Sequence, residues 1–374
     1  MDFQKEFPQN NEIVYFNHAA VAPWPKRTQQ AVTEFAQENT FFGATHYPNW
    51  LQTEHNLRVQ LKDLIGATST DEIALLKSTS EGLSVIAYGL DWSDGDEIII
   101  SNEEFPSNRI VWESLAQFGV SVRVANITEH DPIKAIQSQI TDNTKLISIS
   151  SVQYASGRTT DLSSLSKLAK QHGVLLCVDA IQSLGVKPFS LTEIDADFVV
   201  ADGHKWMLGP EGLALFYCKQ ELLNRLKIHQ YGWHMIENAG DYTTNEWSIA
   251  KTAKRFECGS PNMLGTHALN ASLSLIHEVG LTTIESLTLK TTNYLRERIQ
   301  ENNKLELITD INQPTAITTF SIIDQDDASI QKQLMKKGLI CAYRGGGIRF
   351  SPHFYQGKKE VDKAMAIVAD TIEG

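Results

Sequence analysis

The stretch "DGHKWMLGP" (202–210) sets Lys205 between a histidine and a tryptophan, among glycines and a proline that keep a helix from covering it. The run "VVA" before it reads as the end of a buried strand, and "GPEGLALFYC" after it as a turn feeding another. A lysine at such a strand mouth is either a solvated loop charge or a chemical tool, because a desolvated amine is a nucleophile able to form a Schiff base. Asp179 closes the apolar run "VLLCVDA". A carboxylate there is costly to bury without a cation or several donors, so it is either a cap or turn former or the partner of a cationic ring nitrogen. Gln182 offers a donor and an acceptor at the same rim. "KSTSEGLSVIAYGL" (77–90) opens with Ser78 and Glu81 at capping-box spacing, and its free N–H groups with the hydroxyls of Thr79 and Ser80 suit simple capping or a phosphate. In "EEFPSN" (103–108), Phe105 is either a core side chain or a flat apolar cover. An amine, a buried carboxylate, a phosphate seat and an aromatic face are together what pyridoxal phosphate requires.

The elements that must position these groups alternate. From about residue 65 to 220, the runs 97–100, 120–127, 145–150, 174–180, 197–201 and 212–218 read as strands. Between two of them, "DLSSLSKLAKQHG" starts at a capping Asp161, ends at Gly173 and carries one apolar face. Such alternation implies a mostly parallel sheet covered by helices, with ligands beyond the carboxyl ends of the strands. Lys205 follows one of those ends. After about residue 260 a long helical stretch (267–300) leads to "AITTFSII" (316–323), a helix near 327–337, a glycine-rich bend, "IRFS" (348–351) and a terminal helix, a smaller α+β unit. The first 20 or so residues form an arm whose "NHAAVAPWP" is too proline-rich for regular structure.

The net charge of −12, with no basic block, disfavours nucleic acid and anionic membranes as partners. Neither a signal peptide nor an apolar segment long enough to span a bilayer is visible. The four cysteines form no CxxC pair and read as buried thiols of a reducing compartment, so a cytoplasmic location is expected. No Walker or GxGxxG pattern points to a nucleotide. His46, His234, His267, His277 and His353 show no ligand spacing, and no metal site is expected.

Six stretches, "STSEG", "EEFPSN", "VDAIQS", "DGHKWMLGP", "RFECGSPN" and "IRFSPHFYQGKKEVD", occur in the order they take in a known family. The chain resembles class V aminotransferases and cysteine desulfurases, pyridoxal phosphate enzymes of fold type I, and within them the isopenicillin N epimerase-like and C–S lyase-like branch. That resemblance implies an α/β fold, with a large domain holding a mostly parallel seven-stranded sheet and a small α+β C-terminal domain, assembled as a homodimer. The expected divisions are an arm (1–20), a pyridoxal phosphate domain (21–260) and a small domain (261–374). Carried over by position, Lys205 would bind the cofactor aldehyde and move protons, Asp179 would pair with the pyridine nitrogen, and Gln182 with the phenolic oxygen. His204, Thr79 and Ser80 would hold the phosphate, and Phe105 would stand where desulfurases carry a stacking histidine. Ser260 matches a hydroxyl that reaches the phosphate in the partner subunit, and Arg349 the arginine that binds the substrate α-carboxylate. Asn17 and His18 match a pocket-lining arm, or belong to an arm merely docked on the large domain.

Two departures stand out. Asp202 replaces a serine that donates to the phosphate in desulfurases, so it is expected to point away, toward an arginine or backbone donors. In "GLICAYRGGGIRFSPH" one strand follows another through three glycines with no loop for a nucleophilic cysteine, and Cys341 reads as a core residue. A persulfide-forming desulfurase is therefore not expected. The favoured reading is β-elimination on an amino acid such as cysteine or a cysteine conjugate. Transamination or epimerisation on the same scaffold is the alternative, and an inactive cofactor-binding homologue a further one.

Overall fold

The computed structural model describes residues 3–10, 12–128 and 131–373. Residues 1, 2 and 11 of the expected arm, and Gly374, lie outside them. A short strand, β1 (Val14–Tyr15), precedes two helices, α1 (Lys26–Phe42) and α2 (Tyr47–Ile65). The central sheet is laid down by β2 (Ile73–Leu76), β3 (Glu97–Ser101), β4 (Ser121–Ala125), β5 (Thr144–Ser150), β6 (Leu175–Asp179), β7 (Phe198–Asp202) and β8 (Ala214–Cys218). Its spatial order is β2-β8-β7-β6-β5-β3-β4, and β8 alone runs against the others. This is the mostly parallel seven-stranded sheet the resemblance implied.

These strands are apolar runs because both faces of the sheet are covered. Along β3, Ile98 and Ile100 enter one core with Phe198, Val200 and Phe216, while Ile99 points into the opposite core with Ile147 and Val199. The covering helices are α3 (Thr79–Gly89), α4 (Ser107–Glu113), α5 (Pro132–Gln137), α6 (Leu162–His172) and α7 (Leu191–Ile194). In α6, Asp161 accepts from the Ser164 N–H and Gly173 ends the helix at φ 67°.

The stretch 267–300 is two helices rather than one, α8 (Met263–Val279) and α9 (Leu281–Gln300), parted by Gly280 at φ 82°. That left-handed φ ends the first helix, and the apolar period resumes beyond it. Helix α8 packs on α1 and α2, and its Leu269, Leu273 and Ile276 join the core of the central sheet. The remaining elements are β9 (Leu305–Leu307), β10 (Thr318–Ile322), α10 (Asp327–Lys336), β11 (Leu339–Ile340), β12 (Ala342–Arg344), β13 (Gly347–Phe350) and α11 (Lys358–Glu373). Four of these strands form an antiparallel sheet, β12-β13-β10-β9, over a core that includes Phe320, Leu334, Phe350 and Val361.

The stretch "NHAAVAPWP" holds no helix or strand beyond an isolated bridge at Asn17, as expected of it, but the arm before it is not all irregular. β1 pairs in parallel with β11, and Asn17 bridges Ser351 just beyond β13. Pro23 and Pro25 come after this pairing, so they break the chain only at the entry to α1. Among the described residues no helix is long and apolar enough to cross a membrane.

Candidate active site

The carboxyl ends of β2, β3, β5, β6 and β7 open on one edge of the sheet, where a cavity of about 240 Å³ lies. Lys205 stands in the turn after β7. That turn is closed by hydrogen bonds from the Leu208 N–H to the Lys205 carbonyl (3.0 Å) and from the Gly209 N–H to the Gly203 carbonyl (2.8 Å). Leu208 is held at φ 59°, a strained conformation for a leucine. Behind the turn, a Cβ on Gly185 would lie 2.2 Å from the Trp206 carbonyl oxygen, so only glycine lets the two segments meet. The Trp206 indole N–H donates to Gln182 Oε1 (2.8 Å), and Gln182 Nε2 donates to the Ala19 carbonyl (3.0 Å). Arm, β6 loop and lysine turn are thereby locked together, with one N–H of Gln182 left over.

The ionisable groups of the cavity perturb one another. Burial pushes the Lys205 amine down to about 8, Asp179 opposing and Arg349 adding to the shift. Asp179, 2% exposed, is pushed up to about 7 by burial against the pull of the Ile181 N–H, with Glu104 adding to the rise and Lys205 opposing it. The Glu104 carboxyl lies beneath the site and accepts from Ser101 Oγ, Asn108 Nδ2, Gln153 Nε2, and both the N–H and Oγ of Ser150. Arg349 is buried, its Nη1 bound to the Tyr154 carbonyl (2.6 Å) and its Nε without a partner among the described residues. Burial, with Arg344 nearby, lowers it to about 10. Burial also lowers His204 to about 4, so its ring is neutral, and its buried Nδ1 has no partner among the described residues.

Lys205, Asp179, Gln182, His204, Thr79, Phe105 and Arg349 all line this cavity. The Lys205 Nζ lies 5.6 Å from the centre of the Phe105 ring, which meets Tyr154 edge-on at 5.1 Å. Ser80 is not among the lining residues; it is exposed and donates to Ser107 Oγ (2.9 Å), which does line the cavity. Ser260 does not reach the cavity. It is exposed in a separate depression with Lys77, Glu81 and Asn262. The arm does line the cavity, through Ala19, Ala20 and Val21 rather than Asn17 or His18. His18 is fully buried, one ring nitrogen on the Ser351 carbonyl (2.8 Å) and the other on the Tyr355 hydroxyl (2.6 Å). Asp202 finds a backbone donor, the Thr79 N–H at the α3 N-terminus (2.9 Å), but it lines the cavity and so does not point away as expected. The Ser78 hydroxyl caps α3 as expected, accepting from the Glu81 N–H, whereas the Glu81 carboxylate takes the Lys77 N–H instead of closing a capping box.

Ser107, Tyr154, Glu211 and Arg344 complete the wall without having been singled out in the sequence. Ser107 and Tyr154 lie within or just after stretches that were read, and a search for side chains following strand ends finds both. Glu211 and Arg344 also lie in stretches that were read, but only the fold brings the turn before β8 and the end of β12 to this cavity. Among the described residues no cysteine lines the cavity. Cys341 is buried between β11 and β12, and burial pushes its thiol up to about 12, the reverse of what a nucleophile needs.

The chain matches the aminotransferase class-V family over residues 14–363 and belongs to it. A probable cysteine desulfurase of Methanothermobacter thermautotrophicus is 27% identical over 395 residues, spanning 100% of this chain and 97% of that one. The fold is shared with the apo cysteine desulfurase of Thermococcus onnurineus NA1, at a TM-score of 0.91, 23% identity, and coverage of 100% and 98%. It is shared equally with a cystine C–S lyase solved with its reaction product cysteine persulfide, at a TM-score of 0.90, 21% identity, and coverage of 97% and 99%. The protein is thus a pyridoxal phosphate-dependent enzyme of class V, similar to cysteine desulfurases and C–S lyases.

Proposed function

We propose that the protein is a C–S lyase acting by β-elimination on cysteine or a cysteine conjugate. The observation that carries this reading is one cavity holding a buried lysine and a buried arginine but, among the described residues, no cysteine. The residues fit the cofactor. To the phosphate we assign the orphaned Nδ1 of His204 and the N-terminus of α3, with the Ser80 hydroxyl on the same first turn of that helix. Asp179 provides a buried carboxyl for the ring nitrogen, Gln182 an N–H for the phenolic oxygen, Phe105 an apolar face and Lys205 the amine. Bound there, pyridoxal phosphate supplies an aldehyde to capture the substrate amine and a conjugated ring to store an electron pair.

The chain's own groups do the rest. Arg349, its Nη1 held by Tyr154, offers the free Nε–H edge to the substrate α-carboxylate, a charge-assisted and planar recognition. Lys205 would take the α-proton on Nζ, and an amine poised near neutrality suits that work. Asp179 would hold a proton on the ring nitrogen. The β-sulfur leaves with its electrons as a thiolate, needing no protein nucleophile. With cysteine, one water is consumed and sulfide, pyruvate and ammonia are released. The site is completed across a homodimer, in which Ser260 reaches the partner's phosphate.

Holoenzyme mixed with cysteine, cystine and their S-conjugates is expected to release pyruvate and ammonia in equal amounts. Conversion of the cofactor to its amine form, reversed by an oxoacid without ammonia release, points instead to transamination. Lys205→Ala is expected to abolish the borohydride-fixable chromophore with the far-UV spectrum unchanged, and a retained covalent adduct would move the site to another lysine.

A further inference from the structure

We propose that Asp202 is itself a cofactor-binding residue, meeting the cofactor phosphate as a neutral carboxylic acid, so that phosphate binding takes up one proton. The proposal rests on the reading above that the phosphate sits at the N-terminus of α3.

Asp202 is the last residue of β7 and is buried. Its Oδ2 accepts the Thr79 N–H (2.9 Å), and its own N–H donates to Thr79 Oγ1 (3.1 Å). This reciprocal pair holds the carboxyl across the first turn of α3. The Glu81 N–H is taken by Ser78 Oγ (3.2 Å), so the Ser80 N–H is the one donor of the first three left for an anion. The other carboxyl oxygen, Oδ1, lies 3.8 Å from the orphaned His204 Nδ1. A phosphate drawn to that nitrogen and to that helix end must therefore lie against Asp202.

The charged groups around it do not remove the conflict. Lys205, Arg344 and Arg349 favour a bound anion, whereas Asp179 and Glu211 oppose one, and His204 is neutral. Two acids in contact in a desolvated site do not both stay fully ionised; they hold a proton between them. Burial already raises the Asp202 carboxyl, against the two Thr79 contacts and Lys205. Once protonated it becomes an O–H donor, the service a serine hydroxyl gives at any pH. An acid gives that service only while its proton is held.

Pyridoxine 5′-phosphate tests this, because it has the phosphate but no aldehyde, so imine formation at Lys205 does not enter. Dissociation constants are measured on the full-length apoprotein from pH 7 to 9 for wild type, Asp202→Asn and Asp202→Ser. Pyridoxine without the phosphate serves as control, and far-UV spectra check folding. One extra proton per ligand makes the wild-type constant rise about tenfold per pH unit more steeply than that of either variant. With pyridoxine the three proteins are expected to run parallel. Parallel curves with pyridoxine 5′-phosphate, or the same excess slope with pyridoxine, overturn the proposal while leaving the site reading intact. Failure of the wild type to bind pyridoxal phosphate or pyridoxine 5′-phosphate overturns both.

Discussion

Burial, more than any partner, lowers the pKa of Lys205. With 8% of its surface exposed and two arginines nearby, its amine loses its proton near pH 8 instead of in the usual lysine range. Asp179 works against this, so the pair has a definite sign. Labelling of apoprotein Lys205 by trinitrobenzenesulfonate, followed by peptide mass spectrometry, is expected to show half-maximal rate near pH 8. Asp179→Asn, which removes the acid that holds the lysine proton, moves that midpoint down. A midpoint in the ordinary lysine range, or an upward move, contradicts the assignment. For Arg349, loss of a desolvated two-point contact to carboxylate is expected to cost about 100-fold in kcat/KM in Arg349→Leu. Arg349→Lys restores little of this, because an ammonium lacks the planar edge. Lys205 and Asp179 were legible in the sequence because each ends or follows an apolar run, whereas Arg349, inside "IRFS", was legible only through the family resemblance. Glu104 was not. Its carboxyl gathers donors from β3, α4, β5 and the loop beyond β5, a convergence that only the tertiary fold creates.

Six of the seven central strands could be read because each run holds at least two β-branched or aromatic residues and is bounded by turns. β2, "IALL", was missed because it is short and has a single β-branched residue, and it exists by pairing with β8. What joins β2 to its surroundings is also tertiary. Arg58 on α2 binds both oxygens of Glu257 (2.7 Å each), Glu54 Oε1 (2.6 Å) and the Ile73 carbonyl (2.9 Å). Glu257 accepts in turn from the Leu75 N–H (2.8 Å). Glu54, His234 and Glu257 cluster closely enough to suggest metal ligands, but Arg58 already occupies both carboxylates. The two acids hold the buried guanidinium firmly charged against the cost of its desolvation. Removing it leaves two buried carboxylates unpaired, a change that costs on the order of 3–5 kcal/mol. Arg58→Met is therefore expected to lower the urea midpoint sharply, and Glu54→Gln with Glu257→Gln in the same chain to recover part of the loss. An unchanged midpoint would show that water reaches the cluster.

At the scale of the whole molecule, one chain leaves two features unaccounted for. Tyr231, Trp233, Tyr242 and Trp247 are exposed around a cavity of about 530 Å³, and Phe41 and Phe42 project from the end of α1. Clustered exposed aromatics on a chain of net charge −12 suit burial against a second protein surface. Ser260 meanwhile faces away from the Lys205 cavity, on the segment that Glu257 fixes to α2 and β2. A two-fold dimer explains both if each protomer lends Ser260 to its partner's site. Mixing two defective chains decides the matter. One carries Lys205→Ala with Ser260 intact, and the other carries Ser260→Asp, whose charge repels phosphate, with Lys205 intact. If the serine acts across the dimer, each hybrid holds one site with a native lysine and a native serine beside one site defective in both. Random reassortment of equal amounts then restores about a quarter of the wild-type cofactor sites, counted by borohydride fixation. If Ser260 serves its own chain, or no site at all, the mixture shows only the sum of the two separate proteins. Retention of full cofactor binding by Ser260→Asp alone would exclude Ser260 from the phosphate site in either arrangement.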